Sequence, residues 1–165
     1  MTGGTYVADY NEVTGQFTPK PITEAHLNIT YNYSHYYRIG SAGDERFSEP
    51  SIRGIYGKTG AESIPMLESM IQKIEELYKP DGKWAKTQRH KITYTDNKTG
   101  KELHLIEIIA HQIPESEYTK KEFDIVVDEG DTADYWEATA ANALVPLYQL
   151  LTMAKLRPDG VWEGD

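Results

Sequence analysis

The chain of 165 residues contains no cysteine, which excludes disulfide bonds and thiolate-bound metals and is typical of proteins in a reducing compartment. It also lacks an apolar run near the ~20 residues that a membrane-spanning helix needs, and its first residues lack the apolar core of a signal peptide. We therefore expect a cytoplasmic protein with no membrane partner. A chain of this length predicts a single domain, residues 1–165, with a substantial core.

Positive charge is also scarce, since the chain has 17 Lys and Arg residues but 26 Asp and Glu residues, which gives a net charge of -9. This excess of acid argues against nucleic acid or anionic membrane as a partner. The acid is concentrated in residues 115–137, where nine acids and two lysines give 2 − 9 = −7. Residues 27–60 hold four cations and three acids. An anion could therefore be bound near residues 27–60 despite the acidity of the whole.

The central stretch, residues 52–78, begins as a glycine-rich turn and continues as the clearest helical pattern. Thr59 followed three residues later by Glu62 is a capping box, which marks a helix start. Pro65 lies either in the first turn of a helix that begins at Ser63 or at a kink in one that begins at Thr59. One face of the predicted helix is apolar, with Ile64, Leu67, Ile71, Ile74 and Tyr78.

The turn at residues 57–59, Gly-Lys-Thr, resembles the end of a phosphate-binding P-loop. The first glycine of that motif is replaced by Ile52, and Pro50 precedes it where a buried strand should end, so we reject a P-loop enzyme. Free N–H groups at the helix start, together with Arg53 and Lys58, still predict a site for phosphate or carboxylate. The alternative is a capped helix with two solvated cations.

Residues 27–33 alternate apolar and polar side chains, which predicts a strand with one buried face. Its polar face either binds a ligand or faces water. Residues 34–38 (SHYYR) come next. Their aromatic rings and Arg38 either stack on a base and contact phosphate, or form an aromatic rim over the core. The candidate ligand-binding residues are Asn28, Asn32, His35, Tyr36, Tyr37, Arg38, Arg53, Lys58 and Thr59.

Two further regions read as β structure. Residues 1–25 are predicted to form an N-terminal arm or a loose hairpin, with short strands at 6–10 and 16–18. Residues 83–129 form an inserted β region with strands at 91–95, 102–110 and 123–127 and a hairpin turn at 96–100. On a helix, the side chains of His104, Glu107 and His111 would share one face and could ligate a metal. On the predicted strand His104 lies on the opposite face, so we expect no metal.

A second long helix is predicted from Thr139 to Leu156, with Pro146 either kinking it or near its start. Its expected buried stripe is Leu144, Leu147, Tyr148 and Leu151. Trp162 predicts a docked C-terminal tail. The predicted fold class is α+β: an antiparallel sheet with two main helices on one face and an inserted β-hairpin region.

Three pieces of the chain resemble a family of small, acidic proteins encoded by bacteriophages and prophages: residues 28–32 (NITYN), residues 52–60 (IRGIYGKTG), and residues 134–136 (DYW) with 157–165 (RPDGVWEGD). The match leaves out residues 1–25 and 83–129. The family has no agreed activity, so no catalytic residue carries over. The resemblance implies a phage protein that acts inside an infected bacterium.

The function predicted first is a counter-defence protein that sequesters a small anionic nucleotide-type immune signal, a cyclic nucleotide or an ADP-ribose derivative, without catalysis or a cofactor. The alternative is a phage protein that binds and inhibits a host defence protein through its acidic surface. An enzyme is ranked third, because no nucleophile–base set, carboxylate pair or metal cluster stands out. Twelve tyrosines and three tryptophans predict a homo-oligomer.

Overall fold

The computed structural model describes residues 6–11, 13–21 and 25–164, and it has the predicted α+β class. Its strands and α-helices are β1 (Tyr6–Asn11), β2 (Gln16–Pro21), α1 (Ser34–Ser41), α2 (Gly60–Tyr78), β3 (Lys86–Asp96), β4 (Glu102–Leu103), α3 (Leu105–Ala110), β5 (Tyr118–Asp128) and α4 (Ala140–Leu156). Short 3-10 helices cover Tyr31–Tyr33, Ile52–Ile55, Pro80–Gly82 and Glu115–Glu117. None of the helices in the described ranges is long and apolar enough to cross a membrane.

Strands β1 and β2 form an antiparallel hairpin, which confirms the strands predicted at 6–10 and 16–18. Gly15 in the connecting turn has φ 66°, a left-handed conformation that glycine adopts without strain. The division of the chain into an arm, a body and an inserted region stays a prediction.

The second sheet has the order β4-β3-β5, and β3 and β5 pair antiparallel over their full length. The strands predicted at 91–95 and 123–127 are confirmed and are longer than expected. The turn at 96–100 is also confirmed. The Asp96 carboxylate accepts from the N–H groups of Lys98 and Thr99, both at 2.7 Å, and Gly100 has φ 69°.

The strand predicted at 102–110 is wrong. Only Glu102–Leu103 pairs with β3, and Leu105–Ala110 is helix α3. The Glu107 carboxylate accepts from the His104 N–H at 2.8 Å, which closes the first turn of this helix. The apolar run here does not alternate strictly, so its composition alone does not separate a strand from a short helix.

The strand predicted at 27–33 is also wrong. In the part of the chain that the structure describes, no strand pairs with these residues; they lead into the 3-10 helix Tyr31–Tyr33 and then into α1. The Thr30 side chain accepts from the Asn32 N–H at 3.3 Å and caps this start. Helical turns bury Tyr33 while leaving Tyr31 exposed, although an alternating pattern places both on one face.

The core is built from helices. Helices α2 and α4 pack on each other and α1 packs on α2, where a Cβ on Gly40 would lie 2.2 Å from the Met70 side chain. Among the described residues, none of the three-stranded sheet belongs to the buried core cluster. Placement of the two main helices on one face of the sheet, and insertion of a β-hairpin region, are therefore not confirmed.

Helix α4 begins at the predicted cap, Thr139, and α2 begins at Thr59, one of the two starts considered. Pro65 and Pro146 lie inside the helices, which decides between the two starts considered for α2. The predicted stripe of α4 is buried except for Tyr148, which is exposed and donates to the Glu75 carboxylate at 2.9 Å.

Candidate functional site

The start of helix α2, where an anion was predicted to bind, already holds a carboxylate. The Glu62 Oε2 atom accepts from the Thr59 N–H at 2.8 Å and from its hydroxyl at 2.9 Å, and the Thr59 Oγ1 accepts from the Glu62 N–H at 3.2 Å. These bonds lower the pKa of Glu62, so its charge stays in place. A second anion at this helix start would be repelled.

The next two N–H groups of α2 are bound by the C-terminal segment. Gly60 donates to the Gly160 carbonyl at 2.7 Å, and Ala61 donates to the Pro158 carbonyl at 2.9 Å. Residue 60 must be glycine for this approach, because a Cβ would lie 2.3 Å from the Arg157 carbonyl oxygen. The free N–H groups on which the predicted anion site depended are therefore occupied by the chain itself.

Trp162 completes this docking, as the sequence predicted for the tail. Its indole N–H donates to the Ser63 hydroxyl at 2.7 Å. Its main chain pairs with the glycine-rich turn through Gly57 N–H to Trp162 O at 2.9 Å and Trp162 N–H to Lys58 O at 3.0 Å. The C-terminal segment therefore occupies the turn at which a ligand was predicted to bind.

The two predicted cations lie on this same turn. Arg53 is half-buried; its guanidinium donates to the Tyr31 hydroxyl at 3.0 Å and lies 5.6 Å from the centre of that ring. Lys58 is half-buried as well. Neither cation forms an ion pair with a carboxylate in the part of the chain that the structure describes.

Tyr36 and Tyr37 are core residues, and neither ring has a face open to a base. Both are almost fully buried, and burial raises the pKa of both phenols. The Tyr37 hydroxyl donates to the Ala143 carbonyl at 3.1 Å. Of the two readings left open for these aromatics, packing over the core is the one observed.

The remaining predicted ligand residues are exposed but are not gathered into one site. The ring of His35 lies 3.3 Å, Nε2 to oxygen, from the Tyr78 hydroxyl, and the Asn32 side chain donates to the Trp136 carbonyl at 2.8 Å. Asn28 and Arg38 are exposed as well.

Sequence reasoning missed a buried polar cluster around Glu129, which is 0% exposed although it belongs to the acidic segment. Its carboxylate accepts from the Tyr36 hydroxyl at 2.7 Å, from the Arg89 guanidinium at 2.8 Å, from the Ala140 N–H at 2.9 Å, and from the Thr87 hydroxyl. Each of these four partners is a donor. The cluster joins β3, α1 and the first residue of α4.

The charge state of the cluster follows from these contacts. Burial acts to raise the pKa of Glu129, but the hydrogen bonds outweigh it and the net pKa is lowered. Burial likewise acts to lower the pKa of Arg89, and the bonds to Glu129 and Tyr36 outweigh it, so that pKa is raised. Both groups therefore stay ionised and paired inside the protein, and the cluster has a structural role because it connects β3, α1 and α4. No motif in the sequence distinguishes Glu129 from its exposed acidic neighbours.

The strand predicted for His104, Glu107 and His111 is wrong, because these residues lie on and next to helix α3. Glu107 is engaged by the His104 N–H. Within the described ranges, no three His, Cys, Asp or Glu side chains come close enough together to hold a metal ion.

The loop at residues 131–137, here called the acidic loop, is held in place by hydrogen bonds from buried side chains to its carbonyls. The Asn142 amide donates to the Asp134 carbonyl at 2.7 Å and to the Glu137 carbonyl at 3.0 Å. The Tyr33 hydroxyl donates to the Tyr135 carbonyl. Burial, followed by the charges of Tyr135 and Asp134, raises the pKa of Tyr33 to about 12, so it remains a donor.

The upper side of the acidic loop exposes an aromatic pair among carboxylates. Trp136 is 66% exposed and Tyr135 41%, and their rings meet edge to face at 5.4 Å. The Trp136 N–H donates to the Asp134 carboxylate at 2.9 Å, which fixes the backbone beneath the indole. The exposed acids beside the pair are Asp131, Asp134 and Glu137.

Two open depressions lie elsewhere on the surface. One has a volume of about 300 Å³ and is lined by residues between Ser41 and Pro50, among them the acids Asp44, Glu45 and Glu49. The other, of about 510 Å³, is lined by Glu75, Glu76 and Asp81 among others. Neither contains a predicted ligand residue, and their carboxylates are unsuited to an anion.

The acidic loop is therefore the candidate functional surface that combines exposure, fixed geometry and a defined charge. Its sequence, Asp-Tyr-Trp within an acidic segment, was visible as a motif, but its exposure depends on the fold. The resemblance to phage-encoded proteins stays a prediction. Comparison with family models, with curated proteins and with solved structures finds no match for this chain.

Proposed function

We propose that the protein is a binding protein that contacts a basic surface of a partner protein through its acidic loop. The observation that carries this proposal is the Trp136 indole, 66% exposed on a loop whose carbonyls accept hydrogen bonds from the buried side chains of Tyr33 and Asn142. In the phage setting that the resemblance implies, the partner is a host defence protein, which the binding inhibits.

Preorganisation supports this function. The buried side chains of Tyr33 and Asn142, with the exposed side chain of Asn32, bind successive carbonyls of the loop, so the exposed aromatic pair loses little freedom when a partner docks. Trp and Tyr are the residues most enriched at the energetic centres of protein interfaces. A loop of this kind supplies such a centre without folding on binding.

The charge of the surface indicates the chemistry of the partner. Glu129 is paired internally with Arg89, but Asp131, Asp134 and Glu137 are exposed beside the aromatic pair. Their carboxylates steer a basic partner surface towards the loop and repel an acidic one. Lys or Arg side chains of the partner can also lie over the indole face, a cation–π contact.

The test is capture of partners from a bacterial lysate with immobilised protein, followed by calorimetry with the purified captured protein. Trp136→Ala should weaken binding by about 2 kcal/mol or more, roughly thirtyfold. Tyr148→Ala is the matched control, because Tyr148 is a half-exposed aromatic on α4 whose loss should leave affinity unchanged. Equal affinity in the two variants would exclude the acidic loop as the binding surface.

The small-molecule function stays a second candidate, favoured by Arg53 and Lys58, which lie on one turn without carboxylate partners in the described ranges. In this proposal the protein sequesters a cyclic nucleotide or an ADP-ribose derivative and releases it unchanged. Calorimetry with these compounds tests it. Lys58→Ala should cost roughly ten- to a hundredfold in affinity, the value of one charge-assisted contact. Absence of heat with every compound would remove this candidate.

A further inference from the structure

The long ladder of β3 and β5 has two faces that differ in charge. Odd-numbered residues pair with odd-numbered ones, as Lys91 does with Phe123. Because paired residues and alternate residues of an antiparallel ladder share a face, all odd-numbered residues of these strands lie on one face. That face, here called the Phe123 face, receives no acid from the two strands, which both lie wholly within the described ranges. It receives three cations, Arg89, Lys91 and Lys121, whereas the even-numbered face receives two lysines and four acids.

The two lysines of the Phe123 face are exposed and have no carboxylate partner. Within the described ranges, neither Lys91 nor Lys121 forms an ion pair. On the even-numbered face, in contrast, Lys120 is paired with Glu122. The net charge of -9 therefore does not describe the Phe123 face, whose two ammonium groups are available to an anion.

Phe123 places an aromatic ring beside these lysines. Its side chain is 42% exposed. Lys91 lies directly opposite on β3, and Lys121 precedes Phe123 by two positions on the same face. Directly opposed Cβ atoms are about 5 Å apart, and alternate residues of one strand are about 7 Å apart. An exposed ring is thus flanked by two unpaired ammonium groups, and Thr93, opposite Lys121, adds a hydroxyl.

We propose that the Phe123 face binds single-stranded nucleic acid, with one base stacked on the Phe123 ring and the neighbouring phosphates on Lys91 and Lys121. Aromatic stacking and contact between cations and phosphates are the two interactions by which proteins hold single strands without reading their sequence. In a duplex the bases are stacked on one another, so none is free for the ring. This binding goes beyond the function proposed above, because it does not involve the acidic loop.

The shape of the Phe123 face favours an extended strand over a free nucleotide. Sites for small molecules are concave and enclose most of the ligand, whereas this site is one side of a sheet and neither surface depression includes a residue of it. The positive charge is concentrated around Phe123, because Arg89 at one end of the face is paired with Glu129. At the other end Glu102 of β4, opposite Thr95, adds a carboxylate.

The experiment measures fluorescence anisotropy of a labelled oligothymidylate of about 12 nucleotides with the full-length protein. Phe123→Ala should weaken binding roughly tenfold, the value of one stacked base. Ile92→Ala is its matched control, because Ile92 is also 42% exposed but lies on the even-numbered face. Lys121→Ala should weaken binding roughly tenfold and reduce the slope of log affinity against log salt by about 0.7. Lys120→Ala, which removes the neighbouring lysine on the even-numbered face, should leave both quantities unchanged.

Competitors identify the ligand. A duplex of the same length should bind roughly tenfold more weakly or worse, and neither thymidine monophosphate nor polyglutamate should displace the oligonucleotide at matched concentration of charge. Trp136→Ala should bind the oligonucleotide as the wild-type protein does, which separates this test from that of the acidic loop.

No binding by the wild-type protein at about 50 mM salt would overturn the proposal. Equal losses within either matched pair, equal affinity for the duplex, or displacement by either competitor would do the same. Circular dichroism checks that each variant is folded. If Phe123→Ala does not fold, the comparison of Lys121→Ala with Lys120→Ala decides.

Discussion

Replacing Glu129 with glutamine tests whether the buried cluster requires a carboxylate that only accepts hydrogen bonds. Its two oxygens accept from the Tyr36 hydroxyl, the Arg89 guanidinium, the Thr87 hydroxyl and the Ala140 N–H. A glutamine amide has nearly the same shape, but its NH₂ group must face donors whichever way it is oriented. The substitution also leaves the Arg89 charge without its partner.

The magnitude follows from these losses. Removing one partner of a fully buried ion pair costs about 3–5 kcal/mol. Arg89 is 32% exposed and can be solvated in part, so we lower the expected loss to about 2–4 kcal/mol of unfolding free energy at pH 7. Glu137→Gln is the matched control, because this exposed acid lies in the adjoining loop; it should change stability by less than about 0.5 kcal/mol.

The pH dependence adds a second observable. The pKa of Glu129 is lowered in the folded protein, so its contribution to stability is present above the pKa of an unfolded glutamate, about 4.3. It is lost as the pH falls through the lower folded value. The difference in unfolding free energy between the wild-type protein and Glu129→Gln should therefore shrink below about pH 4.3.

Urea unfolding followed by circular dichroism, at pH 7 and at several lower values, measures both effects. A Glu129→Gln protein within about 0.5 kcal/mol of the wild type at pH 7 would refute the acceptor-only reasoning. A larger difference that did not shrink in acid would show that packing, not the carboxylate charge, is responsible.

The same urea assay checks three predictions at the start of helix α2. Gly60→Ala should lower the unfolding free energy by about 1–3 kcal/mol, because the new Cβ would meet the Arg157 carbonyl oxygen, 2.3 Å away. Thr59→Ala should cost about 1 kcal/mol by removing the N-cap acceptor; no loss would mean that water replaces the cap. Trp162→Ala should cost about 2–3 kcal/mol, less than a fully buried tryptophan, since the indole is partly exposed and bonded to Ser63. An unchanged midpoint in this last variant would show that the docked segment adds nothing to stability.

Local features of this fold could be predicted from the sequence because their partners are close in the chain. The Thr59–Glu62 capping box and the Asp96 turn join residues two or three positions apart, and the β1–β2 hairpin pairs strands that follow each other in the chain. The apolar periods of α2 and α4 also predicted their buried faces, since any globular partner would cover them. These elements form for the same reason in any compact fold that the chain adopts.

Tertiary structure decided the features whose partners are distant in the chain. The alternation at residues 27–33 is typical of a strand, but among the described residues no strand pairs with this stretch, and the Thr30 cap starts a helical turn instead. The donors predicted to bind an anion at Gly60 and Ala61 are taken by carbonyls about a hundred residues away.

Burial was decided in the same way. Glu129 has the same chemistry as the acids around it, yet donors from β3, α1 and the start of α4 converge on it and stabilise its charge inside the protein. Trp136, in contrast, is a large apolar side chain left in solvent, because buried Tyr33 and Asn142 bind the carbonyls of its loop and not its ring. An amino-acid sequence states which groups can pair, but only the packed chain determines which donors reach which acceptors.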